Sequence, residues 1–168
     1  PNQPNVLAVS RQTDSAGLVS LVDISDIFNP ALVATVDTGA SAYSITTIPN
    51  QSNLLAVAEF NAGVLLIDIS NISNPILLEK DSTEYNAFTI TTMPNYPNML
   101  AVGSGLDGIS LVDISNIAHP VLVATVSMPE SADLIPISAY SITILPKHPN
   151  LLAVAGVFGV VIIEFNSL

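Results

Sequence analysis

Short apolar runs alternate with clusters of Gly, Pro, Asn and Ser along the chain, and the same runs return in the same order. Asn5-Val-Leu-Ala-Val reappears as Asn53-Leu-Leu-Ala-Val, Asn98-Met-Leu-Ala-Val and Asn150-Leu-Leu-Ala-Val. Leu21-Val-Asp-Ile-Ser reappears as Leu66-Ile-Asp-Ile-Ser and Leu111-Val-Asp-Ile-Ser, with Ile162-Ile-Glu-Phe-Asn as a worn fourth copy. Asn-Pro or His-Pro then leads into Ala31-Leu-Val-Ala-Thr-Val, Ile76-Leu-Leu-Glu and Val121-Leu-Val-Ala-Thr-Val. A further segment ends in proline: Ala42-Tyr-Ser-Ile-Thr-Thr-Ile-Pro49, Ala87-Phe-Thr-Ile-Thr-Thr-Met-Pro94 and Ala139-Tyr-Ser-Ile-Thr-Ile-Leu-Pro146. Self-similarity at a period of roughly 45–50 residues marks a repeat architecture.

Each repeat therefore carries four short segments rich in Val, Ile, Leu and Thr, bounded by turn residues. Such runs predict strands, and no stretch has the apolar spacing of an amphipathic helix. Val64-Leu-Leu-Ile is continuously apolar, as a strand covered on both faces should be. Leu151 to Ile163 is the longest apolar stretch, and it falls short of the ~20 residues a membrane-spanning helix needs. Its glycines predict two buried strands joined by a turn at Gly156–Gly159, and no membrane span. The opening residues are polar and uncharged, so any export signal is expected upstream of them.

Four antiparallel strands repeated at this period fit an all-β fold, a β-propeller built of four-stranded blades. One blade cannot cover both its faces, and stacking blades about an axis does. Leu21-Val-Asp-Ile-Ser, Leu66-Ile-Asp-Ile-Ser and Leu111-Val-Asp-Ile-Ser, each followed by Asn-Pro or His-Pro and an apolar run, resemble the LVIVD-repeat β-propellers. The resemblance spans essentially the whole chain and speaks for fold more than function. It implies a protein of a mostly bacterial or archaeal family, commonly exported or surface-attached and mostly without assigned chemistry. The setting it implies is extracellular, periplasmic or at the cell surface. Residues 1–168 read as one propeller region, with repeats at approximately 1–40, 41–85, 86–137 and 138–168. The first repeat lacks its first strand and the last lacks its fourth. About three and a half blades are expected, an arc or fragment of a larger propeller. Open blade edges invite pairing with the remainder of the propeller or with another copy of the chain.

Composition narrows the partners. Fourteen acidic side chains against three basic ones give a net charge of −11, which argues against nucleic acid, whose affinity comes largely from Lys and Arg on phosphates. With no cysteine there is no disulfide framework, thiolate metal site or cysteine nucleophile. Antiparallel order puts the connections after strands two and four on one rim. That rim carries Asp14, Asp37, Glu59, Asp81, Glu84, Asp107, Glu130 and Asp133, with Arg11 and Lys80 as its bases. A rim of carboxylates suits Ca²⁺, another hard cation or a basic partner, and it also serves as ordinary solvated charge. No calcium-loop motif is present.

Asp23, Asp68 and Asp113 recur once per repeat on the other rim. Their side chains are expected to bond nearby backbone N–H groups and shape a turn. Asn5, Asn53, Asn98 and Asn150 are expected to be turn residues. Pro30, Pro75 and Pro120 should open an edge strand, where a missing N–H is tolerated. Tyr43, Phe88 and Tyr140 occupy matching positions and are expected to pack between blades near the axis, with ligand stacking as the alternative. His119 and His148 sit in different loops and make a poor metal site. No GxSxG, HExxH, P-loop or dinucleotide glycine pattern occurs. The expected function is a non-enzymatic propeller module for protein–protein or cell-surface interaction, with no cofactor. The alternatives are a Ca²⁺-type cation-dependent binding protein or hydrolase- or lyase-like enzyme using the acidic rim, and a structural subunit assembling through its open edges as a homo-oligomer.

Overall fold

The structure is a computed structural model, and it describes residues 5–12, 16–80, 86–105, 108–127, 139–156 and 159–165. Among these residues there is no helix, and the strands fall into four antiparallel sheets. The first blade is β1 (Val6–Gln12), β2 (Gly17–Asp23) and β3 (Ala31–Asp37). The second is β4 (Ala42–Ile48), β5 (Gln51–Glu59), β6 (Gly63–Asp68) and β7 (Ile76–Lys80). The third is β8 (Thr89–Met93), β9 (Tyr96–Gly103), β10 (Ile109–Asp113) and β11 (Val121–Val126). The fourth is β12 (Ser141–Leu145), β13 (His148–Gly156) and β14 (Gly159–Glu164). Within each sheet the strands are ordered as in the sequence. The described residues thus form a partial β-propeller in which the first blade shows no inner strand and the last no outer one.

The repeat extends to the irregularities. Each first-to-second strand pair slips near its turn, at Thr47/Ile48, Thr92/Met93 and Ile144/Leu145. Each third-to-fourth pair slips at Leu21/Val22, Leu65/Ile67 and Leu111/Val112. A bulge adds local twist, so repeating it twists every blade alike. Pro30, Pro75 and Pro120 each stand just before an edge strand, β3, β7 and β11, where no ladder needs their missing N–H. Asn53, Asn98 and Asn150 differ from expectation: they lie inside β5, β9 and β13. The turns fall earlier, at Pro49-Asn50, Pro94-Asn95 and Pro146-Lys147, and Asn50 takes the left-handed conformation (φ 64°) that Asn tolerates. The four repeated asparagines instead use their carbonyls. Asn5, Asn53, Asn98 and Asn150 accept the N–H of Ile24, Ile69, Ile114 and Phe165 at 2.7, 2.7, 2.8 and 2.9 Å.

The core consists of three layers between blades. Val19 and Leu21 of β2 meet Leu55, Val57, Leu65 and Ile67 of the second blade. Ala56, Ala58, Val64 and Leu66 on the other face of that blade meet Ile90, Leu100, Val102 and Val112 of the third. Ala101, Ile109 and Leu111 then meet Ile142, Leu152 and Val154 of the fourth. Alternation along a strand sends successive side chains to opposite faces, so in β5 and β6 both sets are buried. At the ends of the arc only one set is. Leu7 and Val9 of β1 are 50% and 42% exposed, and Val160 and Ile162 of β14 are 68% and 51% exposed. The stretch Leu151–Ile163 is therefore two strands, as expected, but buried on one face rather than two. No helix among the described residues is long and apolar enough to cross a membrane.

Candidate functional site

Strands β4, β8 and β12 are the inner strands of successive blades and neighbour one another along the axis. An alanine–aromatic pair stands at or just before the start of each: Ala42-Tyr43 opens β4, and Ala87-Phe88 and Ala139-Tyr140 precede β8 and β12. The alanines are buried at 3%, 0% and 0% exposure, since only a small side chain fits where one blade closes on the next. Backbone bonds lock these junctions. Ala87 N–H donates to Glu59 O (3.3 Å), and Ala139 N–H donates to Gly105 O (3.2 Å). Alternation then turns the next residue of each pair away from the core.

The aromatic residues converge. Phe88 is the hub, with its ring 5.3 Å from Tyr43, 5.4 Å from Tyr140 and 5.5 Å from Phe60, all centroid to centroid. Tyr43 and Phe60 are 6.0 Å apart. The interplanar angles run from 49° to 78°, the tilted and edge-to-face geometry that ring quadrupoles favour. The cluster is not interior packing: Tyr43 is 40% exposed and Tyr140 52% exposed. Rings from three inner-strand starts thus form one partly exposed apolar patch at one mouth of the axis. Gly105 makes room for it. A Cβ there would stand 2.8 Å from Phe88 Cε2, at a φ of +61° that favours glycine.

Phe60 was not singled out by the repeat pattern, because its counterpart one repeat later is Gly105. The residue before it, Glu59, is fully buried. Strand parity puts it on the same face as Leu55 and Val57, the face toward the first blade. So Glu59 lies inside rather than on the rim. Its counterpart one repeat later, Ser104, is also buried and bonds Ser110 Oγ at 2.8 Å. Asp37 is exposed on the rim, and its Oδ1 accepts the Gly39 N–H at 2.9 Å. Asp14, Asp81, Glu84, Asp107, Glu130 and Asp133 lie outside the described residues. Among the described residues no three His, Asp or Glu side chains gather as a metal site.

On the opposite rim, the repeated aspartates hold turns. Asp23, Asp68 and Asp113 each accept, through Oδ1, the backbone N–H two residues on, at 2.8, 2.7 and 2.7 Å. Three residues further on the device is repeated, a feature that the recurrence of Asp alone does not reveal. Asp26, Asn71 and Asn116 accept the N–H of Phe28, Ser73 and Ala118 at 3.0, 3.1 and 3.2 Å. Two consecutive side-chain turns thus carry the chain from the third strand of each blade to the fourth. Hydrogen bonds from the Ser25 hydroxyl and N–H hold Asp23 below the ordinary carboxylate range, and the Asn29 side chain and Phe28 N–H do the same for Asp26. The folded state therefore favours both ionised forms. Their stabilisation is complete above the unfolded value near ~4 and is lost as pH falls through the lowered folded values. Carboxyl NMR titration should find both groups ionising below ordinary Asp, and Ser25→Ala should raise Asp23 while leaving Asp26 in place.

A concavity of about 330 Å³ lies on this rim between Asn50–Leu54, Asp68, Ser70 and Ile117. It has no aromatic ring, and its one carboxylate already serves Ser70. His119 stands in the connection from β10 to β11 and His148 opens β13.

The LVIVD repeat pattern matches residues 14–38, 52–83 and 100–127, together about half of the chain. The chain belongs to the LVIVD-repeat family. Each matched stretch covers the third and fourth strands of a blade and includes Asp23, Asp68 or Asp113, so the turn aspartates belong to the shared LVIVD pattern. Tyr43, Phe88 and Tyr140 lie outside all three stretches. Comparison with curated proteins finds no match for this LVIVD-repeat chain. Among solved structures, it is similar to a chain in the crystal structure of the mitotic checkpoint complex, with a TM-score of 0.76 and 12% identity over 97% of this chain and 46% of that one. It is also similar to Sqt1 from Chaetomium thermophilum, with a TM-score of 0.66 and 16% identity over 92% of this chain and 39% of that one. Both are WD40-like propellers. The LVIVD-repeat chain spans under half the length of either, and the likeness is one of fold.

Proposed function

We propose that this chain is a non-enzymatic propeller module that binds a protein partner at the aromatic mouth of its axis, outside the cytoplasm or at the cell surface. One observation carries the reading: Tyr43, Phe60, Phe88 and Tyr140 are gathered by successive blades into a single patch that remains partly open to water. Large aromatic side chains are enriched at interface centres, where they bury much area with little loss of rotamer freedom. The setting outside the cytoplasm is supported by the family resemblance.

Panning the immobilised chain against a random peptide library tests the site. Enriched peptides should lose binding to the Tyr43→Ala/Tyr140→Ala variant and keep it for Phe28→Ala, which removes a ring 89% exposed on the opposite rim. Peptides that bind the double variant as well as the parent defeat the proposal. Calcium and EDTA melts separate the cation-dependent rival, since a ligand bound only by the native state raises its melting temperature; the module reading expects no shift.

A second reading is a subunit that assembles through its open blade faces. The exposure of Leu7, Val9, Val160 and Ile162, whose repeat counterparts are buried, favours it. Light scattering that finds a monodisperse monomer rules it out.

A further inference from the structure

We propose that the aromatic mouth receives cationic side chains, so that the partner is a basic polypeptide segment presenting arginine. This inference rests on the interaction reading above and names the chemistry of its partner.

The rings set the first condition. None of the four ring pairs is stacked face to face, the interplanar angles lying between 49° and 78°. A parallel stack would cover ring faces with one another, and this arrangement does not. Tyr43 and Tyr140, at the two ends of the chain of contacts, are the most open to water. A guanidinium laid on such a face is attracted by the ring quadrupole, and its planar, weakly hydrated form stacks there better than an ammonium.

Charge sets the second. A neutral apolar segment docking here gains nothing from the chain's net charge of −11, whereas a cationic one is drawn toward it. The chain carries 14 acidic against 3 basic side chains. Asp37, the last residue of β3 before the connection to Tyr43, is exposed on the same rim. Its bond from Gly39 engages one oxygen, and an ionised carboxylate accepts several donors. A partner that combines positive charge with flat apolar stems meets both the rings and the field, and arginine does so with one side chain. Electrostatic complementarity of this kind also raises the encounter rate.

The test is calorimetric titration with an end-capped peptide of three Gly-Arg repeats, against the same peptide with every arginine replaced by citrulline, its neutral near-isostere. The arginine peptide should bind, and the citrulline peptide should bind at least ~10-fold more weakly. Tyr43→Ala/Tyr140→Ala should weaken arginine-peptide binding by ~10-fold or more, while Tyr43→Phe/Tyr140→Phe, which keeps the rings, should retain it. Circular dichroism melts establish that each variant is folded. Equal binding of the two peptides, undiminished binding by the alanine variant, or no binding of the arginine peptide overturns the inference. Library peptides that are neutral yet depend on Tyr43 and Tyr140 would overturn it while leaving the interaction site standing. Library peptides that ignore both tyrosines would remove the site itself.

Discussion

Leu66→Ala should destabilise the chain by about 3 kcal/mol, and Ile162→Ala by about 1 kcal/mol or less. The two residues hold the same place in the repeat, two positions before the acidic residue of the third strand. Leu66 is fully buried and packs in the layer between the second and third blades. Ile162 faces the side of the fourth blade that no other blade of the described residues covers and is 51% exposed. A leucine deletion inside a sealed layer removes transfer energy and leaves a cavity as well. At Ile162 half the side chain is already in water, and solvent fills what the truncation vacates. The pair therefore measures what a neighbouring blade contributes, with sequence position held constant. Urea unfolding supplies the midpoints. Equal losses at both sites would mean that Ile162 is covered in solution. In that case the Ile162→Ala loss should grow with protein concentration if a second copy covers it, because association stabilises by mass action.

The same contrast shows how far the sequence is legible. Periodicity placed the strands of every blade and the turn aspartates Asp23, Asp68 and Asp113, because those features are local: a strand needs its own residues and an Asx turn needs three or four. What is not local escaped. Glu59 reads as one more rim carboxylate, yet its position at the end of β5 and the closure of the first blade leave it fully buried. Phe60 has no repeat counterpart, since glycine takes its place at 105, so a search for recurring residues passes over it. Tyr43, Phe88 and Tyr140 were visible as a repeated position near the axis. Their meeting with Phe60 in one partly exposed cluster depends on how three blades are set side by side, a quantity that no single repeat encodes. Leu7 and Leu55 are the same residue in the same motif, with exposures of 50% and 2%.

Gly17→Val should have the largest effect of any single substitution considered, unfolding the junction of the first two blades. Gly17 opens β2, and its carbonyl accepts the Thr38 N–H at 3.0 Å. The connection from β3 to β4 thus passes directly over it. A Cβ at residue 17 would stand 1.9 Å from Ala40 O, 2.6 Å from Ala42 N and 2.7 Å from Thr38 Oγ1. The first two are backbone atoms of the segment that delivers Tyr43 to the axial cluster, so no rotamer change relieves the overlap. Overpacking a close contact commonly costs about 1–3 kcal/mol, and a collision with backbone on both sides belongs at or beyond the top of that range. Even Gly17→Ala should destabilise by about 3 kcal/mol. Gly159→Ala provides the contrast. There an added Cβ meets nothing within 4 Å, but φ is +132°, so only backbone strain of about 1–2 kcal/mol is at stake. Should Gly17→Ala cost no more than Gly159→Ala in urea unfolding, the connection does not lie on β2, and the first blade is not docked on the second as described. If the docking is correct, Gly17→Ala should also alter the near-ultraviolet circular dichroism of the tyrosines, because displacing Ala42 displaces Tyr43 from Phe60 and Phe88.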